Sequence, residues 1–266
     1  MNDEAKKYYD EDKSIFGLPQ LYRGLELYPL KIKDFYYHDL LYSLFSYPQS
    51  AVSNKHPEVY KMSYLKFCIY ILEIITNPNK EIKTIEEKLK EFMNFITKRR
   101  DIEFIRQNKQ AEIEDQIITM KVGGKTFVES DFQNIREIIL EQNGTSIEYV
   151  NEYNEELEKD LEFAYKSTEK YDFKDQVFAL GSLLHKSTSE ISDYTLYELK
   201  NSLESASALQ AYLIQTVPLT EVGKDYTFQS FMKHLKNKRR YEDILDDVDK
   251  FKRESSYLKS EQDIAK

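Results

Sequence analysis

Seven glycines and six prolines in 266 residues leave this chain few places to reverse direction tightly. Glycine supplies positive φ and proline presets the turn dihedral, so folds of many short strands, or folds built round a glycine-rich phosphate loop, need more of both. Long elements, mostly helices, are the expectation. The length suffices for one large domain or two small ones, each with a core of its own. Charged residues at 32% and hydrophobic ones at 41% describe a folded body with wet helical faces rather than a disordered chain.

Periodicity places the elements. Residues 1–13 are polar and charged, and they read as a disordered tail that ends where Ile15, Phe16, Leu18 and Leu21 begin. Loose alternation from Leu25 to Ile32 suggests a short edge strand, after which Asp34 is placed to cap a helix that stops at Tyr47-Pro48. A buried helix is expected from Glu58 to Thr76, stopped by Asn77-Pro78-Asn79, and an amphipathic one carries Ile85, Leu89, Phe92 and Ile96 on one face. These make residues 14–100 an N-terminal helical subdomain.

Between Ile102 and Glu129 the period becomes alternating, with Ile117, Ile118, Val122, Phe127 and Val128 flanking Gly123-Gly124, the pattern of a β-hairpin. Ser130 with Gln133 has capping-box spacing before a helix closed by Asn143-Gly144, so residues 101–146 form a hairpin plus a helix. Residues 147–266 read as a C-terminal helical part. It holds an acidic helix over 147–170 and a buried helix over 173–185 carrying Val177, Phe178, Leu180, Leu183 and Leu184. A further helix opens at Ser192 or Asp193 and ends before Pro218, and a charged one runs from about Phe228 to Leu258. The fold class is mainly α (α+β), a helical body with a small β-hairpin or sheet in mid-chain.

Motifs for chemistry are sparse. Gly123-Gly124-Lys125-Thr126 resembles the end of a phosphate loop, but Thr119 stands where that pattern needs glycine, and strand-like residues follow where a helix must open. His38, His56, His185 and His234 lack a second ligand at metal-binding spacing, and Cys68 lies in an apolar run where a thiol behaves as a small hydrophobe. Acid pairs such as Glu155-Glu156 and Asp246-Asp247 sit on polar faces, where carboxylates usually serve solvation. Asn143-Gly144-Thr145 fits a glycosylation pattern and is better read as a helix end. The expectation is a protein that is not an enzyme, with no catalytic, cofactor-binding or metal-binding residues and no cofactor.

A net charge of −9 opposes broad binding to phosphates, so nucleic acid is not an expected partner. The basic run Lys236-Asn237-Lys238-Arg239-Arg240 is followed by Glu242, Asp243, Asp246, Asp247 and Asp249, which reads as a paired, solvated helix face. The N-terminus has no apolar leader, and the stretch Tyr64–Ile75 is too short and too interrupted to span a bilayer. A cytoplasmic protein without a membrane partner is expected.

Lys125-Thr126-Phe127-Val128-Glu129-Ser130-Asp131-Phe132-Gln133-Asn134-Ile135-Arg136-Glu137-Ile138-Ile139, continuing through Leu140 to Gly144, resembles phage and prophage tail-region proteins of low-GC Gram-positive hosts. Leu21-Tyr22-Arg23-Gly24 to Ile32, and Lys174 to Leu180 with Tyr194 to Leu199, are similar to the same group. These motifs of hydrophobic spacing touch under half of the chain. The resemblance implies a tail assembly chaperone that coats the tape-measure protein in the host cytoplasm while tail-tube subunits polymerise. The alternative is a structural component of the virion, in its tail, baseplate or neck. Implied partners are other phage tail proteins, tape measure and tail tube, with a homo-oligomer as a further option.

Overall fold

The computed structural model describes residues 1–53, 59, 61–75, 85–108, 110–151, 154–164 and 172–222. Among them the chain is mainly α-helical with two small antiparallel sheets, as its sparse turns require. In order the elements are α1 (Asp3–Lys6), α2 (Glu11–Ile15), β1 (Gln20–Tyr22), β2 (Leu25–Leu27), α3 (Ile32–Ser46), α4 (Ser50–Ser53), α5 (Tyr64–Ile75) and α6 (Ile85–Thr97). Then come β3 (Glu103–Gln107), β4 (Ile117–Val122), β5 (Lys125–Phe127), α7 (Glu129–Gln142), α8 (Ile147–Asn151), α9 (Glu155–Ala164), α10 (Phe173–Leu184), α11 (Thr188–Ile191) and α12 (Leu196–Val222).

Both sheets turn on two-residue loops with positive φ. Arg23 (47°) and Gly24 (83°) join β1 to β2, and Gly123 (56°) and Gly124 (77°) join β4 to β5. Two successive left-handed residues match the twist of the flanking strands, which is why glycine is spent here. The tempting Gly-Gly-Lys-Thr motif is thus a hairpin turn, and β3 extends that hairpin to the sheet β3-β4-β5.

Helix α7 is the centre of the molecule. Its buried residues run right round it, from Phe132 through Ile135, Ile138, Ile139 and Leu140 to the polar Asn134, Arg136 and Glu137, and it touches α1, α2, α3, α5, α8 and strands of both sheets. Phe132 packs edge-on against Phe45 at 5.5 Å between centroids, and Phe45 against Phe92 at 5.0 Å. Burying such a ring contributes about 2–3 kcal/mol. The buried Arg136 is accommodated because its Nε donates to the Phe45 carbonyl at 2.7 Å and its guanidinium lies 3.4 Å above the Tyr64 ring. A cation held over an aromatic face recovers part of its lost hydration.

Several expectations are corrected. Residues 1–13 are not a disordered tail: they hold α1 and most of α2, docked by the buried Ala5, by Tyr8 edge-on against Tyr22 at 4.8 Å and by polar contacts. Asn2 caps α1, its backbone N–H donates to Glu137 at 2.6 Å, and its Nδ2 donates to Asn134 at 2.9 Å. The cap of α3 is Lys31, and Asp34 lies within the first turn. Helix α7 starts after Val128, whose N–H donates to Asp131 at 3.0 Å, so Asp131 does what Ser130 and Gln133 were expected to do. The helix from Glu58 begins instead at Tyr64.

The acidic helix is two helices, because Asn154 Oδ1 accepts from the N–H groups of Glu156 and Leu157 and starts α9 afresh. Phe178, Leu183 and Leu184 are exposed by 61%, 39% and 41%, whereas Val177 and Leu180 are buried. Thr195, not Ser192 or Asp193, caps α12, which continues through Pro218 to Val222. Asn77-Pro78-Asn79, the charged helix from Phe228 and the run Lys236–Arg240 lie outside the described residues.

Candidate functional site

The C-terminal end of α7 fixes where the last helices sit. Thr145 N–H donates to Leu140 O and Gly144 N–H to Glu141 O, both at 2.9 Å, closing a Schellman end in which Gly144 takes φ +71°. Asn143 turns inward: its Nδ2 donates to Ile139 O at 2.7 Å, and its Oδ1 accepts Leu30 N–H at 2.8 Å. Leu30 O in turn accepts Leu196 N–H at 2.9 Å, and Ile32 N–H donates to Tyr194 O at 2.8 Å. The glycosylation-like triplet is therefore a structural joint.

Three local caps build the helices that leave this joint. Asp172 and Asp175 exchange backbone bonds at the start of α10, Ser187 and Glu190 do so at α11, and Thr195 and Glu198 at α12. Lys200, one turn into α12, donates to Thr145 Oγ1 at 2.7 Å and to Gly144 O at 3.2 Å. Burial pulls its ammonium down to about 8 against the opposing pull of Glu204. Tyr42 shares Thr145 at 2.9 Å, and its phenol is pushed well above its ordinary range by burial.

Along α12 one apolar stripe recurs at three- and four-residue steps: Leu196, Leu199, Leu203, Ala206, Leu209, Leu213. Leu196 and Leu199 are buried and Leu203 is half-buried, but Leu209 is 39% exposed and Leu213 51%. The stripe outruns the body that covers its start. Together with Phe178, Leu183 and Leu184 on α10, which packs along α12, it gives this end of the molecule a set of exposed apolar side chains. Such a surface can bind an apolar helix face.

A polar cleft of about 530 Å³ is lined by Asn2, Tyr8, Tyr22, Arg23, Asp131 and Asn134. Burial pushes the Asp131 carboxyl up, but hydrogen bonds from Tyr22 (2.8 Å), Val128 N–H (3.0 Å) and Arg23 (2.6 Å) outweigh it and hold it below its ordinary value. Burial pushes the Tyr22 phenol up to about 12, and its oxygen accepts from Asn134 at 2.9 Å. These groups satisfy one another and weld β1 to α7.

The residues weighed for chemistry lie apart. Cys68 is buried, and burial pushes its thiol up to about 12. His38 is shifted down by burial beside Phe95, at 4.2 Å between rings, and His185 ends α10 in the left-handed region. Glu155 and Glu156 stand in the first turn of α9; His56, His234 and Asp246-Asp247 lie outside the described residues. Among the described residues no cluster of three His, Cys, Asp or Glu side chains could hold a metal, and no helix is long and apolar enough to cross a membrane. No family model, curated protein or solved structure matches this chain.

Proposed function

We propose that this protein works by binding other proteins during assembly of a long phage tail, as a chaperone that holds the tape-measure protein in the host cytoplasm until tail-tube subunits enclose it. The observation that carries the reading is the α12 stripe, whose outer half, at Leu209, keeps the apolar pattern of a packed helix while exposed. A client that is a long amphipathic helix would extend the layer that α10 begins. The three segments that resemble tail-region proteins also meet at one joint, where Asn143, Leu30 and Leu196 are linked in series. Nucleic acid, membrane and cofactor have no part in this reading.

A second reading, a structural component of the virion, is favoured by apolar exposure elsewhere. Tyr36 and Tyr37 on α3 are 74% and 79% exposed with their rings 5.5 Å apart, and Phe16 is 72% exposed. Several such surfaces suit a subunit with several permanent neighbours.

The test is co-expression with the tape-measure protein, reading the amount kept soluble, for the parent and for a Phe178→Asp/Leu209→Asp variant. The variant is expected to fold and to lose the client. Equal retention would remove the stripe from the reading, and stoichiometric presence of the protein in purified particles would favour the virion component.

A further inference from the structure

Helix α3 has apolar residues on every side, and a helix of that kind is normally covered on every side. Here only one half is. Leu41, Tyr42, Leu44 and Phe45 face the body and are buried, and Phe35 packs on Phe173 at 4.6 Å between centroids. The outer half carries Tyr36, Leu40, Ser43 and, at the helix end, Tyr47, in steps of four, three and four residues that keep to one face of a helix. All four are exposed, Leu40 and Tyr47 by 45% each. Tyr37 stands beside Tyr36 with its ring edge-on at 5.5 Å.

Three properties of this face say what covers it. The first is area. A tyrosine buries about 200 Å² when enclosed, so the exposed parts of the three rings come to about 400 Å². With Leu40 added, that approaches the apolar share of the roughly 800 Å² that each partner gives to a standard interface. The second is charge. In a chain of net charge −9 two copies repel wherever carboxylates meet, and the face of Tyr36, Tyr37, Leu40, Ser43 and Tyr47 holds none. Asp39 and Lys33 stand at its two edges, and Lys33 is drawn off to Asp193 at 2.5 Å. The third is the order of sizes. Tyr36 and Tyr47 are equally far from the midpoint between Leu40 and Ser43. An identical helix laid antiparallel on this one sets Tyr36 against Tyr47 of the second copy, and Leu40 over its Ser43, large against small.

We infer that the outer face of α3 is a twofold contact with a second copy of this chain. Such a contact presents the same patch from both sides, so a face complementary to itself needs nothing else to complete it. Ring pairs at both ends and a large residue over a small one on each side of the axis fix a single register. An unrelated partner would have to reproduce that symmetry by accident. The contact rests on neither the chaperone nor the virion reading and uses no residue of the α12 stripe. It leaves that stripe free in each copy, so the pair presents two apolar stripes to a long client instead of one.

The experiment is sedimentation equilibrium of the full chain from about 1 to about 100 μM, the range in which a contact of this size is populated. The mass is expected to rise to that of two chains and stop there. Leu40 lies next to the axis, so Leu40→Glu and Leu40→Lys should each be monomeric alone, where like charges meet, and form the mixed dimer when combined. Tyr36→Ala should weaken the dimer by about tenfold. Circular dichroism checks the fold of every variant; if the Leu40 pair does not fold, Ser43→Glu and Ser43→Lys, on the other side of the axis, are read in its place. Leu213→Glu and the Phe178→Asp/Leu209→Asp variant should stay dimeric, so loss of the client and loss of the dimer are read apart. A monomer at every concentration, a mass that grows past two chains, oppositely charged variants that stay apart when mixed, or a monomeric Leu213→Glu each overturns the contact.

Discussion

Helix α7 and the α10–α12 unit answer the same demand, an ordered helix, in opposite ways. Around α7 every side is covered, and its polar side chains find partners from distant parts of the chain: Asn134 from Tyr22, Glu137 from Asn2, Arg136 from Phe45. In α10, α11 and α12 the organising bonds are three capping pairs, each three residues apart, and the apolar stripe reaches past its cover. One helix is defined by its surroundings and the other set by its own sequence. A protein divided this way can hold its centre rigid while presenting a ready-made helical surface outward.

Substitutions can break that contrast. The largest effect is expected at Phe132→Ala, which empties a ring site enclosed by Phe45 and Phe104 and should cost about 4 kcal/mol in chemical denaturation. A loss under about 1 kcal/mol would mean that α7 is not the centre.

Next comes Lys200. An unfolded chain keeps this proton to about 10.5 whereas the folded one releases it near 8, so the unfolded state binds more protons in between and stability rises with pH across that window. Tyr9 and Tyr22 act oppositely: burial keeps their protons up to about 12 against 10 when unfolded, so stability falls as pH passes above 10. Lys200→Met should flatten the rise between pH 8 and 10 by about 2 kcal/mol, less than the full interval because the ammonium keeps some solvent. An unaltered rise would locate it in other groups.

The smallest effect is expected at Phe178→Asp, whose thermal midpoint should correspond to a change within about 0.5 kcal/mol, since its ring is mostly exposed. Unfolding of that variant would show that the face of α10 is the reverse of the one described.

Period and turn chemistry were readable in the sequence wherever they were local. The amphipathic Ile85–Thr97 helix, the Gly123-Gly124 turn and the Asn143-Gly144 helix end all follow from short-range spacing. What escaped was decided by partners far along the chain. Asn2 gives no sign that its side chain will reach Asn134, so residues 1–13 looked unstructured. Phe178 looked as apolar as Val177, and only the position of α12 decides which of them is covered. Site residues were harder still, because a stripe on α12 announces a packed helix and says nothing of where its cover ends.

The joint at Asn143 also sets an order in time. Its bond to Leu30 closes a loop of 113 residues, and the strand-like bridge from Lys31 to Thr195 closes a longer one. Contacts between such distant segments form late, once shorter loops have closed, and regions held by few buried contacts open before the whole molecule does. The C-terminal helices therefore depend on this joint for their place on the body, and closing loops of that length carries a larger entropic cost than the local caps that start them.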